Sequence, residues 1–153
     1  MPSIVTVDSP IGPLSLTVSD GAVRELRIDV KDAPMRGEAR DRIVADDAVA
    51  QLDAYFAGSL RTFELLLEPR GTSFQRSVWK ELAAIPYGTA ASYGEIARRV
   101  GRPTASRAIG AANRTNPIAV VVPCHRVIGA DGSLTGYAGG MWRKEWLLTH
   151  EGY

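Results

Sequence analysis

The stretch Asn116-Pro-Ile-Ala-Val-Val-Val-Pro-Cys-His-Arg-Val127 lies at the centre of the predicted fold. Its apolar run is long enough for a buried strand, which is predicted to end at Pro123 because proline has no backbone N–H to donate to a sheet. Cys124 follows at once, flanked by His125 and Arg126, and is the only cysteine in the chain. This order predicts a potential nucleophile at the mouth of a core element.

Cys124 has two interpretations. An isolated cysteine often behaves as a small buried hydrophobe. Cationic neighbours instead lower the pKa of a thiol, which would make Cys124 an activated thiolate. Zinc binding is excluded, because one cysteine and two histidines, His125 and His150, fall short of the tetrahedral set that zinc takes.

The composition is that of an ordinary globular protein. The chain has 153 residues, of which 45% are hydrophobic. A single cysteine allows no internal disulfide, which suits a reducing compartment. The first residues lack a basic segment followed by a long apolar one, and no apolar run approaches membrane-spanning length. We therefore expect a cytoplasmic protein.

Charge is divided unevenly along the chain. Residues 1–69 carry 7 Lys and Arg against 12 Asp and Glu, whereas residues 70–153 carry 11 against 5. Such a division is compatible with scattered surface charge, but it also suggests an acidic domain joined to one that meets an anion such as nucleic acid.

The first part of the chain has a strand-like pattern followed by one helix. Three apolar runs between Ser3 and Asp29 predict an antiparallel meander, with Asp20-Gly21 as a hairpin turn. Ile43 to Ala57 is predicted as a helix, and Phe63 to Leu67 as a return to the sheet. We interpret residues 1–68 as a structural domain and residues 72–153 as a second domain.

The second domain is predicted to be mainly helical. Thr72 and Ser92 each precede a glutamine or glutamate by three residues, which is the capping-box pattern of a helix start. A third start is predicted at Thr104. The last two of these helices are short, are joined by a turn at Gly101, and leave Arg107 and Asn113 on the outer face of the second. They predict a helix-turn-helix, although many helical hairpins bind nothing.

A nucleophile with a base needs a third group to orient that base. Glu151, at the end of a last helix from about Trp142 to His150, is the best candidate, the alternative being a frayed terminal acid. Between Cys124 and this helix lies a glycine-rich loop, Leu134 to Gly140, in which Tyr137 either lines a pocket or packs.

Together these motifs resemble a known family. Pro123-Cys-His-Arg-Val127, with Asn116, Arg107, Ile85-Pro-Tyr-Gly88, Ser92-Tyr93 and Lys144 to Gly152, is similar to the O6-alkylguanine-DNA alkyltransferases. The resemblance covers residues 72–152 closely and the first domain more loosely. It implies an α+β fold, with a small N-terminal antiparallel sheet and helix, ribonuclease H-like in the family, before a helical domain with the helix-turn-helix.

The resemblance also implies an activity. An alkyl group would pass irreversibly from O6 of a flipped guanine, or from O4 of thymine, to Cys124, and each molecule would act once. It further implies that His125 takes the thiol proton through a water, that Glu151 holds the histidine, that Asn116 braces the network, and that Tyr93 donates toward N3 of the departing guanine.

Two further sets of residues follow from the resemblance. The DNA-binding set comprises Ser92, Thr104, Ala105, Ser106, Arg107, Gly110, Ala111, Arg114 and Arg126, with Arg107 as the finger that fills the gap left by the base. The pocket set comprises Val127, Tyr137, Ala138 and Gly139, and Ala138 stands where a serine is common.

The expected partner is duplex DNA containing O6-alkylguanine, bound by a monomer, with cooperative binding left open. No cofactor, metal or membrane is expected. The alternative function is a non-catalytic helix-turn-helix sensor of alkylated DNA, a group in which the cysteine is replaced. A thiol redox sensor is disfavoured because no second cysteine is present to resolve an oxidised sulfur.

Overall fold

The computed structural model describes residues 1–153 and divides them into two compact units. The first unit contains Met1–Arg70 together with Pro117–Ala119, and the second contains Gly71–Asn116 and Val120–Tyr153. The return of residues 117–119 to the first unit was not predicted. It occurs because Leu26 N–H donates to Pro117 O and Ala119 N–H donates to Leu26 O, which pairs this short segment with a strand.

A three-stranded antiparallel sheet forms the first unit. Strands β1 (Ser3–Val7), β2 (Leu14–Ser19) and β3 (Ala22–Ile28) lie in that order, as the meander predicted. Asp20 and Gly21 both have positive φ angles, 52° and 75°, as a type I′ hairpin turn requires. The predicted return of residues 63–67 is confirmed only as a single bridge, between Leu67 and Val23.

One helix, α1 (Ala39–Phe56), packs on this sheet. It begins four residues before the predicted start at Ile43, with Glu38 as the N-cap residue. Its inner side chains Ala45, Ala48, Leu52 and Tyr55 are buried with Leu14, Leu16 and Leu26 from the strands. The unit is therefore a one-sided sheet covered by a helix, which buries the apolar face of each.

The second unit is mainly helical. Its helices are α2 (Ser73–Ala83), α3 (Tyr93–Arg99), α4 (Ser106–Arg114) and α5 (Met141–His150), and its two short strands are β4 (Ala91–Ser92) and β5 (Val127–Ile128). Both predicted capping boxes are confirmed, at Thr72 and at Ser92. The buried core includes Val78, Leu82, Ile96, Ile109, Leu147 and Leu148. No helix of the protein has the length and apolar character to cross a membrane.

The start of α4 differs from the prediction. Ala105 occupies the N-cap position and provides no side-chain hydrogen bond, so Thr104 does not cap this helix. Arg102 O accepts the N–H of Ala105, which continues the turn between α3 and α4 one residue further than the sequence pattern indicated. The predicted α+β class, with two adjacent short helices in the second unit, is nevertheless confirmed.

Candidate active site and DNA-binding surface

Cys124 sits at the start of a 3-10 turn, Cys124–Arg126, and not at the end of a strand. Ile118 makes one isolated bridge, after which Val120 adopts a positive φ of 69° and turns the chain. Asn116 Nδ2 donates to Val122 O at 2.8 Å, which holds this reversal closed. The prediction of a buried strand that ends at Pro123 was therefore wrong. The Asn116 side chain and the left-handed backbone conformation of Val120 form a compact turn, which the apolar periodicity of the sequence does not reveal.

A pair of two-residue parallel strands connects this turn to α3. Ala91 pairs with Val127 and Ser92 pairs with Ile128. Because Ser92 is the N-cap of α3 and its hydroxyl accepts from Glu95 N–H, the pairing places Tyr93, the first residue of that helix, near the residues that follow Cys124. This short parallel pair has no periodic signal in the sequence.

His125, Arg126 and Glu151 form a buried network. His125 Nε2 lies 2.9 Å from Glu151 Oε2, and the Arg126 guanidinium donates to both carboxylate oxygens, at 2.7 and 2.9 Å. None of the three side chains is more than 8% exposed. A charge-assisted double hydrogen bond of this kind fixes the carboxylate in position and keeps it ionised. The carboxylate expected near His125 is thus in contact with it.

The Ile85-Pro-Tyr-Gly88 motif supports this network. Arg126 Nη1 donates to Ile85 O at 2.6 Å, and its guanidinium carbon lies 5.7 Å from the centre of the Tyr87 ring. Gly88 has a φ of 78°, and a Cβ atom there would come within 3.2 Å of Glu151 O. A glycine is therefore needed for the chain to pass this close to the carboxylate residue.

The hydrogen bonds of His125 indicate its tautomer. The ionised Glu151 can only accept, so Nε2 carries the proton, and Nδ1 bears a lone pair and makes no hydrogen bond to a protein atom. Burial lowers the pKa of His125, an effect that Glu151 partly offsets. The imidazole is consequently neutral near pH 7, with its Nδ1 able to take up a proton.

Cys124 is 6% exposed, and burial raises the pKa of its thiol. Hydrogen bonds from the Asn116 and Tyr137 side chains and the charge of Lys144 act in the opposite direction but are smaller. Of the two interpretations of Cys124, this direction favours the buried thiol over a thiolate activated by neighbouring cations. Arg126, the nearest cation in sequence, is paired with Glu151 and does not stabilise a thiolate at Cys124. In the resting protein Cys124 is therefore a thiol.

Lys144 is a site residue that the sequence reasoning included only within a longer motif. Its ammonium group is fully buried and donates to Val127 O at 2.5 Å and to Thr135 O at 3.0 Å. Burial lowers the pKa of Lys144, and the Cys124 thiolate would raise it. Lys144 therefore links β5, the glycine-rich loop and the environment of the sulfur.

Asn113 is a second residue that the sequence reasoning misplaced. It was expected on the outer face of α4, but its side chain is 3% exposed and Nδ2 donates to Cys124 O at 3.4 Å. Asn113 lies four residues after the buried Ile109, so the period of the helix places its amide on the inner face of α4. The contact joins α4 to the cysteine turn.

The predicted DNA-binding residues divide into exposed and enclosed sets. Arg107, Arg114, Ser106, Ala111 and Thr104 are exposed, while Ala105 and Ser92 are half-buried. Gly110 is buried, and a Cβ atom there would lie 3.8 Å from the ring of Tyr93. Arg126 is enclosed in the Glu151 ion pair, so it presents no charge to a DNA backbone. Gly110 and Arg126 were therefore wrongly included among the exposed DNA-binding residues.

The predicted pocket residues lie on strand β5 and on the glycine-rich loop, both of which follow Cys124. Val127 is buried directly after the cysteine turn, and Tyr137 is half-buried, with a hydroxyl that acts to lower the pKa of the Cys124 thiol. Gly139 is half-buried, and its carbonyl accepts from Arg143, whereas Ala138 is exposed. No group of three or more His, Cys, Asp or Glu side chains in the structure is arranged to hold a metal ion.

Comparisons with known proteins agree with this arrangement. Residues 5–69 match the model of the 6-O-methylguanine DNA methyltransferase ribonuclease-like domain, and residues 73–153 match the model of the DNA-binding domain of the same family. A methylated-DNA–protein-cysteine methyltransferase of Mycolicibacterium paratuberculosis is 54% identical, over 95% of this chain and 90% of the relative. One of Methanosarcina acetivorans is 49% identical, over 95% of each chain.

A solved structure is similar over nearly the same extent. The crystal structure of Mycobacterium tuberculosis OGT in complex with DNA has a TM-score of 0.85 and 51% identity, covering 95% of this chain and 90% of that one. The fold and the buried cysteine site define an enzyme of the cysteine-acceptor methyltransferase class. The chain belongs to the 6-O-methylguanine DNA methyltransferase family, as the sequence resemblance predicted.

Proposed function

We propose that this protein repairs DNA by transferring an alkyl group from O6 of guanine to its own Cys124. The observation that carries the proposal is the juxtaposition of the chain's single cysteine with a buried His125–Glu151 pair beneath α4. Relatives about half identical to this chain are named methylated-DNA–protein-cysteine methyltransferases, and Cys124 is the only residue here that could be such an acceptor. DNA is the partner.

The reaction is a single displacement. The sulfur forms a bond to the alkyl carbon as the bond from that carbon to O6 breaks, and the electron pair of the broken bond stays on guanine. The thiol proton passes to His125 and finally to the departing guanine, so the products are a thioether and an unmodified base. No electron donor, acceptor or cofactor is required.

Proton removal has to precede or accompany attack, because burial keeps Cys124 protonated at rest. His125 is suited to this role, because its imidazole is neutral and its Nδ1 is not engaged by a protein atom. Glu151 stabilises the imidazolium that forms, and Arg126 holds that carboxylate in place. We propose that a water carries the proton from the sulfur of Cys124 to Nδ1 of His125, as the resemblance to the family implies.

The target base has to leave the duplex to reach this site, because O6 is inside the base stack. Loss of stacking and pairing costs about a few kcal/mol. Arg107 is exposed on α4 and carries a long side chain beside small residues such as Ala111, which allow the helix backbone to approach DNA closely. We propose that Arg107 fills the gap left by the extruded base and that Arg114 contacts the backbone.

Leaving-group stabilisation is assigned to Tyr93, whose phenol would donate to N3 of the departing guanine. The pocket wall is assigned to Val127, Tyr137, Ala138 and Gly139, of which Tyr137 already contacts the sulfur. The same displacement chemistry would also remove an alkyl group from O4 of thymine. We further propose that the protein acts as a monomer in the cytoplasm, a reducing compartment that suits a chain whose single cysteine allows no internal disulfide.

A thioether has no route back to the thiol in this mechanism, so each molecule acts once. This separates the proposal from the alternative, a non-catalytic sensor of alkylated DNA. The test is a titration of a duplex oligonucleotide containing O6-methylguanine, with the remaining modified base measured after DNA digestion. We expect one modified base to disappear per protein molecule and no more at longer times. Unchanged modified DNA at excess protein would favour the sensor.

A further inference from the structure

The phenol of Tyr93 has a defined partner in the structure. Its hydroxyl lies 2.7 Å from Oγ1 of Thr135, a residue of the irregular segment between β5 and α5. On another side the ring lies against α4, where a Cβ atom at Gly110 would be 3.8 Å from Tyr93 Cε1. The ring is thus placed between the outer helix and the loop, and Thr135 contacts the atom that the proposed reaction uses.

Thr135 is itself fixed by the buried lysine. Lys144 Nζ donates to Thr135 O at 3.0 Å and also to Val127 O, in the strand that pairs with Ala91 and Ser92. Ser92 caps the helix that begins at Tyr93. Thr135 is therefore tied to the same small strand pair that positions Tyr93, and the hydroxyl-to-hydroxyl contact joins two rigidly supported groups.

The direction of the hydrogen bond follows from the chemistry of the ligand. N3 of guanine is an acceptor, so the phenol has to donate its proton there, and its oxygen then accepts from Thr135. A hydrogen bond received by the phenol oxygen polarises its O–H and strengthens the bond that it donates. We propose that Thr135 is a positioning residue that donates to Tyr93 and aims and strengthens its hydrogen bond to the departing guanine.

This inference rests on the proposed function and deepens it. The test is the rate of methyl transfer from a duplex oligonucleotide containing O6-methylguanine, measured for Thr135→Val, which keeps the shape, and for Thr135→Ser, which keeps the hydroxyl. We expect Thr135→Val to be about three- to tenfold slower, as loss of one hydrogen bond predicts, and Thr135→Ser to recover most of the rate. Affinity for unmodified duplex should not change.

A double-mutant cycle with Tyr93→Phe separates positioning from a general structural effect. Thr135→Val should slow the wild-type protein but cause no further loss in the Tyr93→Phe background. Thr6→Val, at an exposed strand position in the first unit, serves as a matched control and should leave the rate unchanged. Thr135→Ala provides the same comparison if the valine variant does not fold.

Two results would overturn the inference while leaving the proposed function intact: a wild-type rate for Thr135→Val, or an equal loss in both backgrounds. Failure of the wild-type protein to transfer any methyl group would instead overturn the proposed function, and the role of Thr135 with it.

Discussion

His125 Nε2 and Glu151 Oε2 lie 2.9 Å apart, and neither side chain is exposed to solvent. The two residues come from the cysteine turn and from the end of α5, so the C-terminal helix supplies the group that orients the base. Because Arg126 donates to the same carboxylate, Glu151 serves two neighbours of Cys124 at once. In the proposed mechanism, proton transfer and the stability of the second unit therefore depend on the same carboxylate.

Glu151→Gln is expected to destabilise the protein as well as slow transfer. The substitution leaves the Arg126 charge buried without its partner, a change that costs about 3–5 kcal/mol. Urea unfolding monitored by circular dichroism measures the loss. Glu145→Gln, at an exposed position of the same helix, is the matched control and should change stability by no more than about 0.5 kcal/mol. Equal stabilities of the two variants would contradict the role of the ion pair.

The reactivity of Cys124 should depend on pH in a defined direction. Since burial raises the pKa of the thiol, the folded protein holds its proton at a pH where an unfolded chain, with a thiol pKa of about 8.5, begins to lose it. Iodoacetamide labelling should therefore have a midpoint above that of the same protein in urea. The raised pKa also means that stability is complete below the unfolded pKa and declines as pH rises above it.

The other interpretation of Cys124, a resting thiolate, requires the opposite order of midpoints. A folded-state midpoint below that of the unfolded protein would show that the cations around Cys124 outweigh its burial. The midpoint is the informative quantity, because burial alone slows labelling at every pH.

Arg107→Ala should affect repair of duplex DNA more than reaction with the free base. Removal of an exposed arginine from α4 leaves nothing to fill the gap in the stack and loses one charge near the phosphates. We expect transfer from duplex to fall about tenfold or more, and transfer from free O6-methylguanine to change little, in single-turnover assays with both substrates. Arg76→Ala, an exposed arginine of α2, is the control. Equal losses with both substrates would remove the proposed finger role.

Local features of the fold were predictable where the residues that determine them lie within a few positions of one another in the sequence. The caps at Thr72 and Ser92 follow from partners three positions away, and the Asp20-Gly21 turn follows from the backbone freedom of two adjacent residues. The cysteine turn was not predictable, because it depends on the Asn116 side chain and a left-handed Val120. Residue type and spacing carry little information about either.

The sequence predicted which residues form the site better than it predicted their ion pairs and protonation states. Arg126 appeared in the sequence as a cation beside a thiol, whereas in the fold it binds a carboxylate 25 positions later. That partner and the burial of Cys124 reverse the expected direction of the thiol pKa. Asn113 was misplaced because its polar side chain suggested an outer position, although it lies four residues after the buried Ile109 and so shares the inner face of α4.

The central claim, that Cys124 keeps the alkyl group, is tested most directly by the mass of the peptide that contains it. The protein is incubated with duplex DNA carrying one O6-methylguanine per strand, digested and sequenced by tandem mass spectrometry, with Cys124→Ser as the control that binds DNA without accepting. We predict one added methyl on Cys124 and none on any other residue. An unmodified Cys124 peptide from folded protein, or a methyl group on another side chain, would contradict the account.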